Sequence, residues 1–262
     1  MTKELITIKK PEELALIREG GRQLGQILGK IARMVKPGVN TAELEEVAQK
    51  LITEAGGRPS FRGYQTRGEI PYPTALCTSI NEEVVHAPAV PGRILKAGDN
   101  IGIDIGMEWP YPNGFYTDTA TTVKVGQVSK EVEKLIKITQ KSLAIGIAAA
   151  KPGNSIADIG KAIETFVKKQ DIRIGIVRDL VGHGVGYGVH EAPRIPNYFD
   201  PTLSKVEIKP GQVLAIEPML TLGKCHIETG PDGFSIRTCD ASWAAHFEHT
   251  IIITERGNEI VT

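Results

Sequence analysis

Apolar residues near the start of the chain recur at helical steps. Leu14, Ile17, Leu24, Leu28, Ile31 and Val35 fall three or four residues apart, with Gly21 filling one place, which predicts an amphipathic helix over about residues 12–35. Lys36-Pro37-Gly38 ends it. Asn40 can then cap a second helix, with Glu43 reaching back to it and Leu44, Val47, Ala48, Leu51 and Ile52 on one face. Residues 56–73 read as a loop, and from Leu76 to Val128 the pattern turns to short β-prone runs broken by Pro, Gly and Asn. Helical spacing returns at Val132, Leu135, Ile136, Leu143 and Ile147. It stops at Lys151-Pro152-Gly153 and resumes after Ser155 with Asp158, Ile159, Ile163, Phe166 and Val167.

The second helical pair repeats the first. At an offset of 115 residues K-P-G aligns with K-P-G, Asn40 and Glu43 with Ser155 and Asp158, and Ala42 with Ala157. Further on, I-L-K-A-G-D-N-I-G-I-D (94–104) resembles E-I-K-P-G-Q-V-L-A-I-E (207–217), which sets Asp104 opposite Glu217. Y-T-D-T (116–119) aligned with H-F-E-H (246–249) sets Asp118 opposite Glu248, and V-V-H-A-P aligned with G-V-H-E-A-P sets His86 opposite His190. Each half therefore supplies a histidine and two carboxylates in the same order. A duplicated chain of this kind would relate its halves, roughly 12–128 and 129–262, by an approximate two-fold, with corresponding strands meeting at a central cleft.

Composition narrows the function classes. The 262 residues carry 31 basic and 31 acidic side chains, so nothing electrostatic favours nucleic acid or an anionic membrane. The three cysteines, Cys77, Cys225 and Cys239, are too few and too irregular for a disulfide framework or a four-cysteine zinc site, and they fit a reducing compartment. The N-terminal stretch is interrupted by charges, and no apolar run approaches the roughly 20 residues of a membrane span. The expected location is the cytoplasm.

Candidate chemistry sits inside the β-prone runs. In I-G-I-D-I-G the isoleucines share one strand face, while Asp104 shares the other with Gly102 and Gly106. Glu217 lies within V-L-A-I-E-P-M-L, and Glu248 opens E-H-T-I-I-I. Burying an unpaired carboxylate costs several kcal/mol or forces its protonation, so converging carboxylates need a cation, and few Lys or Arg lie nearby in sequence. His183 sits in V-G-H-G-V-G-Y-G-V-H-E, where flanking glycines permit close backbone approach. One imidazole and four carboxylates form an oxygen-rich set suited to Mn, Fe(II), Co or a catalytic Zn pair. Carboxylates bridge, so two ions sharing Asp118 and Glu248, with a shared water as nucleophile, would be the economical arrangement.

The strings C-T-S-I-N-E-E-V-V-H, I-D-I-G, D-T-A, G-H-G-V-G, V-H-E-A-P, I-E-P-M and F-E-H-T-I together resemble the type I methionine aminopeptidases, over essentially the whole chain. The resemblance implies an α+β pita-bread fold: one catalytic domain, 1–262, with duplicated αβ halves around a central antiparallel sheet and helices on one face. It implies Asp104, Asp118, His183, Glu217 and Glu248 as ligands of two divalent ions (Co, Mn, Fe or Zn), Asp118 and Glu248 bridging. It places His190 on the substrate carbonyl and its developing oxyanion and His86 on the scissile nitrogen, both catalytic, and Tyr72, Cys77 and Phe234 in the methionine pocket. The implied activity is removal of N-terminal methionine when the second residue is small. The implied partners are nascent polypeptide N-termini, with the ribosome a further candidate, and the implied state is a monomer without nucleic-acid specificity or membrane attachment.

Three departures accompany the resemblance. The segment between Asp104 and Asp118 is a few residues longer than the family pattern, which leaves the shape of that hairpin open. Val189 replaces an aromatic residue before the second histidine, and Phe234 stands where tryptophan is common, implying a looser pocket. From Phe61 to Tyr72 nothing carries over except Tyr72. Proline-specific peptidases, creatine-hydrolysing enzymes and non-catalytic binding proteins share the fold. The first resemble longer chains with an extra N-terminal domain, and the last would be expected to have lost ligands.

Overall fold

The computed structural model describes residues 5–65 and 70–262. The first four residues of the N-terminal stretch and four within the loop expected at 56–73 lie outside them. Helix α1 spans Pro11–Met34, α2 Thr41–Glu54, α3 Lys130–Ala149 and α4 Ile156–Val167. The caps explain the boundaries. Asn40 Oδ1 accepts from Ala42 N (3.0 Å) while its own N donates to Glu43, and Ser155 N donates to Asp158 (2.8 Å). Gly38 and Gly153, closing the two K-P-G turns, both hold φ +89, a left-handed conformation that costs glycine little.

The central sheet is antiparallel, in the order Leu76–Ile80, Asn100–Trp109, Phe115–Lys124, Glu248–Thr254, Val213–Ile216, Gly182–Gly184, Glu191–Ile195. Two findings differ from the sequence pattern. Arg58–Pro59, expected as loop, pairs with Met107 and Glu108. The short runs expected before Val128 include two ten-residue strands, Asn100–Trp109 and Phe115–Lys124, in unbroken register. The extra residues between the aspartates thus lengthen a hairpin tip. That tip is tied down by Trp109 Nε1 donating to Ala55 O (2.8 Å) and by an Arg58–Glu108 ion pair (2.7 Å), away from the carboxylates.

Alternation sorts the sheet into an apolar and a chemical face. Ile101, Ile103 and Ile105 pack with Leu24 and Ile31 of α1 and Leu44 and Ile52 of α2. Leu214, Ile216, Ile251 and Ile253 pack with Leu135 and Leu143 of α3 and Ile159 and Ile163 of α4. Each such side chain contributes about 1.5–3 kcal/mol by leaving water. The residues between them necessarily point the other way: Asp104 from one half, Glu217 and Glu248 from the other.

Backbone hydrogen bonds define the two-fold. Thr41 N donates to Arg93 O and Leu95 N to Val39 O, and the same geometry recurs with Ile156 N to Val206 O and Ile208 N to Asn154 O, all at 2.9 Å. Val125 N to Asp99 O (2.8 Å) recurs as Ile253 N to Gln212 O (2.9 Å). This register corrects the alignment of Y-T-D-T with H-F-E-H. It carries Asp118 onto His246 and Ala120 onto Glu248, and the Ala120–Glu248 cross-strand pair lies on the axis. Thr122 Oγ1 donates to His246 O (2.8 Å) and accepts from His246 N (2.9 Å), while Thr250 Oγ1 donates to Asp118 O (2.8 Å) and accepts from Asp118 N (3.1 Å). The sequence match slipped by two residues, an even step that keeps side chains on the same face and so leaves the apolar pattern unchanged.

Candidate metal centre and active site

A cavity of about 560 Å³ opens on the chemical face of the sheet. All ten residues singled out in the sequence line it: Tyr72, Cys77, His86, Asp104, Asp118, His183, His190, Glu217, Phe234 and Glu248. Their placement follows from the elements that carry them. Glu45 of α2 accepts from Ala75 N (2.7 Å) and Leu76 N (2.9 Å), fixing the strand that brings Cys77 opposite Asp104. His183 pairs with Ala215 on the Val213–Ile216 strand. The turn before His190 is held by Glu191, which accepts from Gly188 N (3.1 Å) and from the buried Lys9 ammonium (2.8 Å).

Oxygen and nitrogen donors converge at the floor. Asp118, His183 and Glu248 each offer one ligand atom, all within 4.8 Å of one another. His183 Nε2 lies 3.5 Å from Asp118 Oδ2 and 3.5 Å from Glu217 Oε1. Thr250 Oγ1 contacts Asp118 Oδ1 at 2.9 Å, and Asp104 Oδ1 is buried without a hydrogen-bond partner among the described residues. Burial, reinforced by the neighbouring carboxylates, pushes Asp104 up to about 7 and Glu217 up to about 8. Burial raises Asp118 and Glu248 as well. No lysine or arginine is among the described residues lining the cavity. Four carboxyls so placed ionise together at neutral pH only beside a cation, so the donor set fits a metal.

Above the floor the lining turns to imidazole and apolar groups. The His190 ring is accessible through the cavity, yet desolvation in the cleft, followed by the neighbouring His183 and His86, lowers it to about 3, so it is neutral. His86 holds φ +59, a left-handed conformation rare for a residue with a side chain. Tyr72 and Phe234 meet edge to face with centroids 5.7 Å apart, and burial pushes the Cys77 thiol and the Tyr72 hydroxyl up. Val189 is buried and is not among the described lining residues.

Two polar residues of the site escaped the sequence reading. Tyr64 OH lies 2.7 Å from His190 Nδ1, and the rings meet edge to face at 5.2 Å. His246 is buried, with Nε2 3.5 Å from Glu217 Oε2, and burial lowers its pKa. Tyr64 lies in a loop without periodicity. His246 carried one available signal: it precedes Glu248 by two residues, the spacing that puts two side chains on one side of an extended segment.

The model of metallopeptidase family M24 matches residues 15–255. The chain belongs to metallopeptidase family M24. Among its M24 relatives, it is 43% identical over 260 residues to methionine aminopeptidase 1 of Bacillus subtilis, covering 98% of this chain and 99% of that one. It is 38% identical over 258 residues to the methionine aminopeptidase of Escherichia coli K12, covering 98% and 94%. The crystal structure of the Thermotoga maritima methionine aminopeptidase superposes with a TM-score of 0.91 at 35% identity, over 98% of this chain and 99% of that one. The curled central antiparallel sheet with its helices is the M24 pita-bread fold. A Pyrococcus horikoshii prolidase shares that fold at a TM-score of 0.73 and 18% identity, with this chain covering 63% of it. As an M24 metallopeptidase, the chain has a buried His/Asp/Glu group fit to hold metal.

Proposed function

We propose that this chain is a methionine aminopeptidase that removes N-terminal methionine from nascent polypeptides when the second residue is small. The observation that carries the reading is the single cavity lined by all ten residues, in a chain 43% identical over almost its whole length to an enzyme of that name. Asp104, Asp118, His183, Glu217 and Glu248 would hold two divalent ions (Co, Mn, Fe or Zn). Bound there, the ions supply a lowered water pKa and Lewis acidity toward the scissile carbonyl.

The chain's own groups do the rest. His190, neutral and with Tyr64 OH at its Nδ1, has Nε2 left to donate to the developing oxyanion. His86 contacts the scissile nitrogen and handles its proton. Tyr72, Cys77 and Phe234 receive the methionine side chain, and the adjoining apolar residues Val85 and Met219 exclude water. With a phenylalanine at 234, norleucine or leucine enters slowly. The same reading puts the enzyme in the cytoplasm, acting as a monomer on chains emerging from the ribosome, without membrane attachment or nucleic-acid specificity. Among the described residues no helix is long and apolar enough to cross a membrane, and all three cysteines are free thiols.

Chelated protein is expected to lose activity and to regain it with Mn, Co or Fe(II), cleaving Met-Ala, Met-Gly and Met-Ser peptides but not Met-Lys or Met-Leu. Full turnover in a sample shown metal-free by elemental analysis would refute the metal dependence. Comparable turnover on X-Pro peptides lacking methionine would move the assignment to a proline-specific peptidase.

A further inference from the structure

Glu217 stands between two imidazoles. Its Oε1 lies 3.5 Å from His183 Nε2, and its Oε2 lies 3.5 Å from His246 Nε2. The two histidines are placed differently. His183 lines the cavity, whereas His246 sits behind the carboxylate with its side chain 3% exposed and its Nε2 without a hydrogen bond among the described residues.

The backbone of His246 is clamped by both Thr122 bonds and by its ladder pairing with Met219, which fixes the point from which the ring projects. Its distance from Glu217 Oε2 is at the outer limit of a hydrogen bond, and a small rotation of the carboxylate closes it. Carboxylates that bind metals are commonly oriented by a hydrogen bond to the oxygen that faces away from the ion. The two-fold strengthens the case, since His246 occupies the position equivalent to Asp118, itself one of the candidate ligands.

We propose that His246 is a positioning residue of the metal centre, donating Nε2–H to Glu217 Oε2 and so turning Oε1 toward the cation that Glu217 and His183 would share. This rests on the reading of Glu217 and His183 as ligands. Being absent from the cavity lining, His246 acts through Glu217 and is not itself a ligand.

The test is calorimetric titration of Co(II) into chelated full-length protein. His246→Ala and His246→Leu both remove the donor, and whichever keeps the wild-type circular dichroism spectrum is used. Its affinity for one ion should fall about 10- to 100-fold. His246→Gln, which keeps an N–H donor, should restore affinity to within about threefold. In a Glu217→Ala background the loss of His246 should add less than about twofold, because the residue it orients is gone. The proposal is overturned by wild-type affinity in the donor-less variant, by His246→Gln binding as weakly as that variant, or by an undiminished effect in the Glu217→Ala background. If Glu217→Ala alone bound both ions at wild-type affinity, the ligand reading would fail instead, and the outcome would be recognisable without any His246 variant.

Discussion

Helices α2 and α4 occupy equivalent places in the two halves and reach the neighbouring chain by opposite means. In α2 the carboxylate of Glu45 bridges the gap, accepting from two backbone N–H groups at the start of the Leu76–Ile80 strand. At the matching place in α4 stands Gly160, where a Cβ would lie 2.1 Å from Tyr198 O and 2.6 Å from Pro196 O. There the helix touches the chain directly, and the segment it presses on carries Asn197, whose Nδ2 donates to Glu217 O (3.1 Å). The same inequality appears at the axis, where Thr122 holds His246 while Thr250 holds Asp118 and also touches its side chain. Hydrogen bonds of the backbone keep the symmetry because the fold requires every one of them. Side chains are released from it wherever another group can fill the same space.

Substitutions at paired positions put that contrast under strain. The largest effect is expected at Asp118, where Asp118→Ala should lower kcat/KM by about 10⁴-fold with loss of bound metal. Retention of both ions in that variant would remove Asp118 from the ligand set. His190→Ala should keep both ions and lower kcat by about 10²- to 10³-fold through loss of an oxyanion donor. His86→Ala should also keep both and lose about 10² to 10⁴ through proton handling. Metal stoichiometry measured beside kcat separates these two from His183→Ala, which should weaken one ion, and a missing ion in either would reverse the assignment.

Smaller effects are expected in stability. Glu45→Ala should cost about 3 kcal/mol by leaving two buried N–H groups unpaired. Gly160→Ala should cost about 2 kcal/mol by forcing the Pro196–Tyr198 backbone away. Urea unfolding gives both values, and only Gly160→Ala should also weaken metal binding, through Asn197 and Glu217. Equal metal affinity in the two variants would show that the α4 contact does not reach the site. The smallest effects belong to the threonines: Thr122→Val and Thr250→Val should each cost about 1 kcal/mol. Of these two, Thr250→Val should change metal affinity more, since it alone loses a contact to a candidate ligand oxygen.

Helix boundaries and caps were readable because they are local: Asn40 with Glu43 and Ser155 with Asp158 signal themselves within four residues. Asp104, Glu217 and Glu248 were readable for another reason, as carboxylates in apolar strands announce a cost that something must offset. The pairing of Asp118 with His246 was not readable. A two-residue slip preserves strand alternation, and the phase is fixed by hydrogen bonds between distant segments, those of Val125 and Ile253 and those of Thr122 and Thr250. Tyr64 was hidden because a loop imposes no period, and its value arises from His190, 126 positions away. The Arg58–Pro59 pairing depends likewise on the length of the distant hairpin.

The Ala120–Glu248 pair has a consequence for how such a molecule can be assembled. Side chains opposite each other across a ladder are about 5 Å apart, and a residue on a two-fold axis faces its own image. Two identical half-chains associating as separate subunits would therefore set either two glutamates or two alanines against each other. The first repels itself in a buried place, and the second leaves the centre one acid short. A single carboxylate facing a single methyl is open only to halves that differ in sequence, as here, where they are joined in one polypeptide and each copy is free to mutate alone.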